Sequence, residues 1–125
     1  MAGVTMDAGG LIALDRNDRR VLVLLARARK TGARITVPAT ALAQAIRQPE
    51  RQARLARLVR QPTTDVVCLD RVDATNVGRL LAASMTADVV DAHVVVCARR
   101  ANQQVVTSDP QDLRMLDPTV GLVTV

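Results

Sequence analysis

The chain has 125 residues, 49% of them hydrophobic, which is enough for one packed core and gives no sign of a second. It contains no Phe, Tyr or Trp, so the core must come from Val, Leu, Ile, Ala and Met, and the composition argues against recognition by stacking bases on aromatic rings. The formal charge is +5, from 17 basic and 12 acidic residues, and every base except Lys30 is arginine. Such a surface permits a phosphate-bearing partner, although a coding bias toward arginine accounts for the count equally well.

Short apolar runs alternate with longer helical patterns, the sequence sign of a parallel sheet wrapped by helices. Val4–Met6 reads as a first strand ending at Asp7, followed by a short helix through Leu11, Ile12 and Leu14. Asp18 caps a helix carrying Val21, Leu22, Leu24, Leu25 and Ala28 at helical spacing, and Gly32 closes it. Arg34–Val37 is a second strand; Pro38 opens a helix with Ala41, Leu42, Ala45 and Ile46 toward the core. Pro49 ends that helix and opens another to about Arg60. Asp65–Leu69 is a third strand, Asp73 caps a helix over 74–83, and a further helix runs from about Ala87 to Ala101. Gln104–Thr107 is a fourth strand and Val120–Val125 the last. The reading is a three-layer α/β/α sandwich with a mostly parallel sheet, one domain over 1–125, and no linker or repeat. Without a signal-type N-terminus or an apolar run of bilayer length, a soluble cytoplasmic protein with no membrane partner is expected. Cys68 and Cys97 lie in apolar runs with no neighbouring Cys or His read at metal spacing, so both are expected to be buried reduced thiols.

Asp7 follows a strand that should be central, and Asp109 follows VVTS in the same way. Ligands of open parallel sheets bind beyond the carboxyl ends of strands, where strand order reverses, so these two carboxylates can share one crevice. Asp88 and Asp91 stand three residues apart at a helix N-terminus, on one face and at the dipole end that tolerates negative charge. Capping alone accounts for Asp88 as well as a site does; Asp91 enters a largely apolar helix and needs a partner. Gathered carboxylates take up protons unless a cation holds them. An all-oxygen set selects Mg²⁺, with Mn²⁺ as an alternative, over zinc. Asp112 either caps the next short helix or supports a metal from outside its ligand set. The hydroxyls of Thr107 and Ser108 can bond the carboxylates or simply end a strand.

Taken in order, VTMDAGGLIAL, ITVPATALAQAIRQ, DVVDAHVVVCARR and VVTSDPQDL resemble the PIN-domain family, and within it the VapC ribonuclease toxins, over nearly the whole chain. The resemblance implies Asp7, Asp91 and Asp109 as the metal-binding catalytic acids, with Asp88 and Asp112 as further candidates. It also implies Mg²⁺-dependent cleavage of an RNA substrate, a cognate antitoxin and a homodimer. One departure stands out. Where the family pattern places a glutamate, this chain has Gln44, and its only glutamate, Glu50, lies six residues on, about 240° further round a helix. Gln44 offers a carbonyl oxygen but neither charge nor base function. Asp88 is a candidate to restore the charge, in which case Asp88→Asn weakens Mg²⁺ binding. The alternative is a PIN-like module that binds RNA or a protein without cleaving it.

Arg47, Arg51, Arg54 and Arg57, with Arg60 beyond, recur at three- and four-residue steps. If the chain stays helical across Pro49 they form a stripe for RNA phosphates or an acidic antitoxin segment; a solvated helix face is the simpler account. His93, the only histidine, falls two residues after Asp91 and so faces away from it, which favours a structural role. Gly9–Gly10 permits approach to a phosphate or tight packing. A dehalogenase-type phosphatase needs a second Asp two residues after the first, where Gly9 stands. A response-regulator receiver needs a late lysine, and Lys30 comes early.

Overall fold

The computed structural model describes residues 3–125. Five parallel strands form one sheet in the order β3-β2-β1-β4-β5: β1 Val4–Met6, β2 Ile35–Pro38, β3 Thr64–Val67, β4 Gln104–Thr107 and β5 Leu122–Thr124. The chain starts at the centre, steps outward to β3, then crosses back to lay β4 against the other side of β1. Because such crossovers are right-handed, reversing direction moves the connecting helices to the opposite face. Helices α1 (Ala8–Asp15), α2 (Arg19–Thr31), α3 (Ala39–Ala45) and α4 (Ala53–Val59) serve the outward path. Helices α5 (Arg71–Ser84), α6 (Val89–Ala101) and α7 (Pro110–Leu116) serve the return. The result is a sheet between two helical layers.

Val4, Met6, Ile35, Val37, Val105 and Val106 bring the inner strands to the core, and α6 contributes an almost continuous buried run from Ala92 to Ala98. Hydrophobic burial at roughly 25 cal/mol per Å² makes this central helix the largest single contributor to the return-side layer. Caps fix the ends of the helices. Asp18 accepts from the N–H groups of Arg20 and Val21, and Gly32 turns left-handed (φ 71°) to close α2. Among the described residues no single helix is long and apolar enough to cross a membrane.

Several boundaries differ from the sequence reading. Pro38 is the last residue of β2 and precedes α3 rather than opening it. Helix α3 stops at Ala45, and Ile46, expected in the core, is exposed. A single 3₁₀ turn, Pro49–Arg51, then separates α3 from α4. The buried Gln52 side chain holds this break. Its Oε1 accepts from the N–H groups of Arg47 (2.9 Å) and Gln48 (3.1 Å), while Nε2 donates to the Ala45 carbonyl (2.9 Å). Cys68, expected to be buried, is exposed because the edge strand β3 ends at Val67; Cys97 is buried. Asp73 does not cap α5. Asp70 does, accepting from the Asp73 N–H at 2.8 Å, so Asp73 lies inside the first turn and is buried.

Candidate active site

Strand order reverses between β1 and β4, and the carboxyl ends of those two strands carry Asp7 and Asp109. Asp7 is 5% exposed. Its Oδ1 caps α1 by accepting from the Gly10 N–H at 2.7 Å, which fixes the carboxylate at the mouth of the sheet. The two glycines after it permit this placement. A Cβ on Gly10 would meet the Val106 carbonyl oxygen at 2.6 Å, and one on Gly9 would meet Ser108 Oγ at 2.2 Å. Of the two roles open to the glycine pair, tight packing of α1 against the end of β4 is the one these approaches describe. Thr107, fully buried, links the two strand ends: its hydroxyl accepts from the Asp109 N–H at 2.9 Å and faces the Asp7 carboxylate.

Asp91 comes from the opposite layer, in the first turn of α6. Asp88 precedes it as the N-cap and accepts from the Asp91 N–H at 2.9 Å through Oδ1. One Asp88 oxygen is therefore committed to capping. Asp112, exposed in the first turn of α7, lies against Asp109.

The electrostatics join these residues. Burial raises the Asp91 carboxyl to about 7, and Asp88, Asp7, Asp112 and Asp109 each push the same way. Burial likewise raises Asp7, opposed by the Thr107 and Gly10 hydrogen bonds and reinforced by Asp109. Asp112 is raised because its carboxyl shares hydrogen bonding and like charge with Asp109. Five carboxyl groups from three separate stretches of chain thus feel one another, and no arginine or lysine enters among the groups that set Asp91's protonation. The cluster is open. Among the described residues, the one set of three ligand atoms all within 4.8 Å of one another belongs to Asp73, His93 and Cys97 instead. An all-oxygen, uncompensated acidic set fits a hard divalent cation that can draw the carboxylates inward.

Gln44 sits on the exposed side of α3; its backbone carbonyl accepts from Arg47 Nε at 3.0 Å, and among the described residues no hydrogen bond ties its side chain to the acids. Glu50 is exposed in the 3₁₀ turn. The expected continuous arginine stripe is broken at that turn. Arg47 and Arg51 line one groove with Ile12, Asp15 and Gln52, whereas Arg54 and Arg57 line another between α2 and α4.

The sequence reading missed a second polar cluster on the other side of α6. His93 and Cys97 lie one turn apart and meet Asp73 of α5. A four-residue helical step is a metal-ligand spacing, so the expectation that neither cysteine had such a neighbour is corrected. His93 Nδ1 is 2.7 Å from Thr40 Oγ1, and Nε2 is 3.6 Å from Asp73 Oδ2. Arg100, a further turn along, pairs with the other Asp73 oxygen. The buried Asp73–His93–Cys97 group can bind a metal ion.

No protein-family model matches the chain, and no curated protein does. Solved structures do. A chain in the crystal structure of FitAcB from Neisseria gonorrhoeae superposes with a TM-score of 0.67 at 14% identity, covering 97% of this chain and 96% of that one. A chain of VapBC2 from Rickettsia felis, bound to a DNA fragment from its promoter, gives 0.66 at 12% identity over 98% of each. A chain of FitAB bound to IR36 DNA gives 0.66 at 12% identity, over 97% and 94%. At these identities the likeness establishes a shared fold over almost the whole length of both partners.

Proposed function

We propose that the chain is a divalent-metal-dependent endoribonuclease of the PIN-domain, VapC-like type, working as the toxin half of a toxin–antitoxin pair. The observation that carries the reading is the Asp91 carboxyl held at about 7 by burial and by four other acids at the point where strand order reverses. Asp7, Asp91 and Asp109 would hold Mg²⁺ or Mn²⁺, with the free oxygen of Asp88 and the Asp112 carboxyl next to them. When bound, the ion would neutralise charge growing on a phosphodiester and make water a better nucleophile. The chain's own contribution is placement. Gly10 and Thr107 orient Asp7, Thr107 also positions the Asp109 backbone, and Asp91 can hold or release a proton near neutral pH.

Support for the partners comes from the surface. The groove between α2 and α4 has Leu14, Leu22, Leu25 and Leu58 in its floor and Arg29, Arg54 and Arg57 around it, with a volume of about 260 Å³. That lining suits an antitoxin segment of alternating apolar and acidic character. Exposed Met115 and Val72, on α7 and α5, offer apolar surface to a second copy in a homodimer. Arg47 and Arg51, exposed beside a second groove, present guanidinium groups to RNA phosphate.

Cleavage of structured RNA with Mg²⁺ or Mn²⁺ tests the reading, with Asp7→Asn as the comparison. Wild-type cleavage that is lost in the variant supports it; no cleavage by wild type, or equal cleavage by both, defeats it. A second reading, an RNA- or protein-binding module without turnover, is favoured by Gln44, which brings no charge. Under that reading Gln44→Glu leaves an inactive protein inactive, whereas an intact but weakened site gains activity.

A further inference from the structure

We propose that Asp73, His93 and Cys97 form a buried zinc site that staples α5 to α6, separate from the acidic cluster. Among the described residues two polar atoms there make no hydrogen bond: Asp73 Oδ2 and His93 Nε2, on side chains that are 2% and 0% exposed. An unpaired buried polar atom is costly, and two facing each other call for a shared occupant. Their separation is 3.6 Å. An imidazole nitrogen and a carboxylate oxygen each about 2.0–2.2 Å from one zinc stand roughly 3.3–3.5 Å apart in a tetrahedron, so a small inward movement brings this pair to the separation of two ligands sharing an ion. Cys97 Sγ completes the trio, with all three atoms inside 4.8 Å of one another.

The surroundings prepare the ligands. Thr40 Oγ1 lies 2.7 Å from His93 Nδ1; in the metal-bound tautomer it would accept the Nδ1–H and leave the Nε2 lone pair for the ion. Arg100 occupies Asp73 Oδ1 and leaves Oδ2 free. Metal-bound imidazoles and carboxylates are commonly held at their far atoms in this manner. One nitrogen, one sulfur and one oxygen form a borderline set that suits zinc, unlike the all-oxygen cluster around Asp91. On binding, the Cys97 thiol gives its proton to solvent and its sulfur lone pair to the metal. The thiolate and the Asp73 carboxylate, set against the ion and Arg100 together, leave one positive charge, which the half-exposed Arg100 guanidinium shares with solvent while it pairs with Asp73. Because His93 and Cys97 share α6 with Asp91, the staple also stiffens the helix that carries that acid.

The test uses the untagged full chain, reduced and freed of metal by chelation, then titrated with Zn²⁺ and with Co²⁺ as a spectroscopic probe. One equivalent should bind, Co²⁺ should give a thiolate charge-transfer band with the d–d absorption of a tetrahedral site completed by one water, and Zn²⁺ should raise Tm by several degrees. Cys97→Ala, a small truncation whose folding is checked by circular dichroism, should remove the band and the Tm shift. Cys68→Ala, and the doubly substituted Asp7→Asn, Asp91→Asn protein, should keep both. The proposal is overturned if wild type shows no band, if the band survives Cys97→Ala, or if it disappears with Cys68→Ala or with the folded acidic-site variant.

Discussion

Asp91 and His93 stand two residues apart on one helix and face opposite electrostatic worlds. On the Asp91 side, carboxyl groups from the ends of β1 and β4 and from the α6 N-terminus act on one another with no arginine or lysine entering, and burial and like charge make Asp91 and Asp7 harder to ionise. On the His93 side, an acid, a base and a thiol are buried together, and Arg100 pairs with one oxygen of the acid. Burial lowers the His93 imidazole against the opposing pull of Asp73, and it pushes the Cys97 thiol up to about 11. The contrast teaches how one buried helix can serve two purposes. Repulsion among acids at the open mouth of a sheet suits a hard cation that meets substrate, whereas a mixed nitrogen, oxygen and sulfur group in the interior suits a structural role. Single substitutions on the two sides should therefore move different observables.

The largest effect is expected at Asp7. Asparagine retains the N-cap on α1 but removes the charge, so Asp7→Asn should lower metal-dependent RNA cleavage by on the order of a hundredfold or more with stability almost unchanged. A cleavage assay beside a urea melt separates the two. Next comes Asp73→Ala, which strands Arg100 and His93 and should cost about 3 kcal/mol in a urea unfolding curve, whatever its effect on cleavage. Gly10→Ala tests the scaffold between these sides. A methyl group aimed at the Val106 carbonyl should destabilise by roughly 1–3 kcal/mol and shift Asp7 with it.

The smallest effect, and the one that most sharpens the contrast, is at Asp91. Its carboxyl binds a proton more tightly folded, at about 7, than at its ordinary 3.8. The stability this proton contributes is full below about pH 4 and is lost as pH climbs through 7. Metal-free protein should accordingly lose stability over that window, and Asp91→Asn should flatten the loss and gain about 1 kcal/mol at pH 8. Loss of stability in Asp91→Asn at pH 8 would mean that the acid is compensated after all.

Strands and helices were legible because apolar spacing is set by burial, and burial decided them: β1, β4 and the capped helix α2 fall where the periodicity puts them. That Asp7, Asp109 and Asp91 act on one another electrostatically was legible for a related reason, since residues just past the strand ends border the crevice where a parallel sheet reverses. The break after α3 was not, because it depends on Gln52 reaching back to Ala45 and Arg47, a contact with no local signal. DRVDAT offers two aspartates as caps for one helix, and choosing Asp73 over Asp70 hid a buried acid inside the first turn. That choice also concealed the partner of His93. The one-turn step from His93 to Cys97 is visible in VDAHVVVCA, yet its apolar setting disguised it as plain core.

The proposed nuclease needs the acids at the sheet's mouth to act together on one divalent ion. Calorimetric titration of Mn²⁺ into zinc-saturated wild type, Asp7→Asn and Asp91→Asn tests that requirement. Saturable binding to wild type, weakened roughly tenfold or more by each substitution, is the result expected. Absence of Mn²⁺ binding, or an affinity that neither substitution alters, would contradict it.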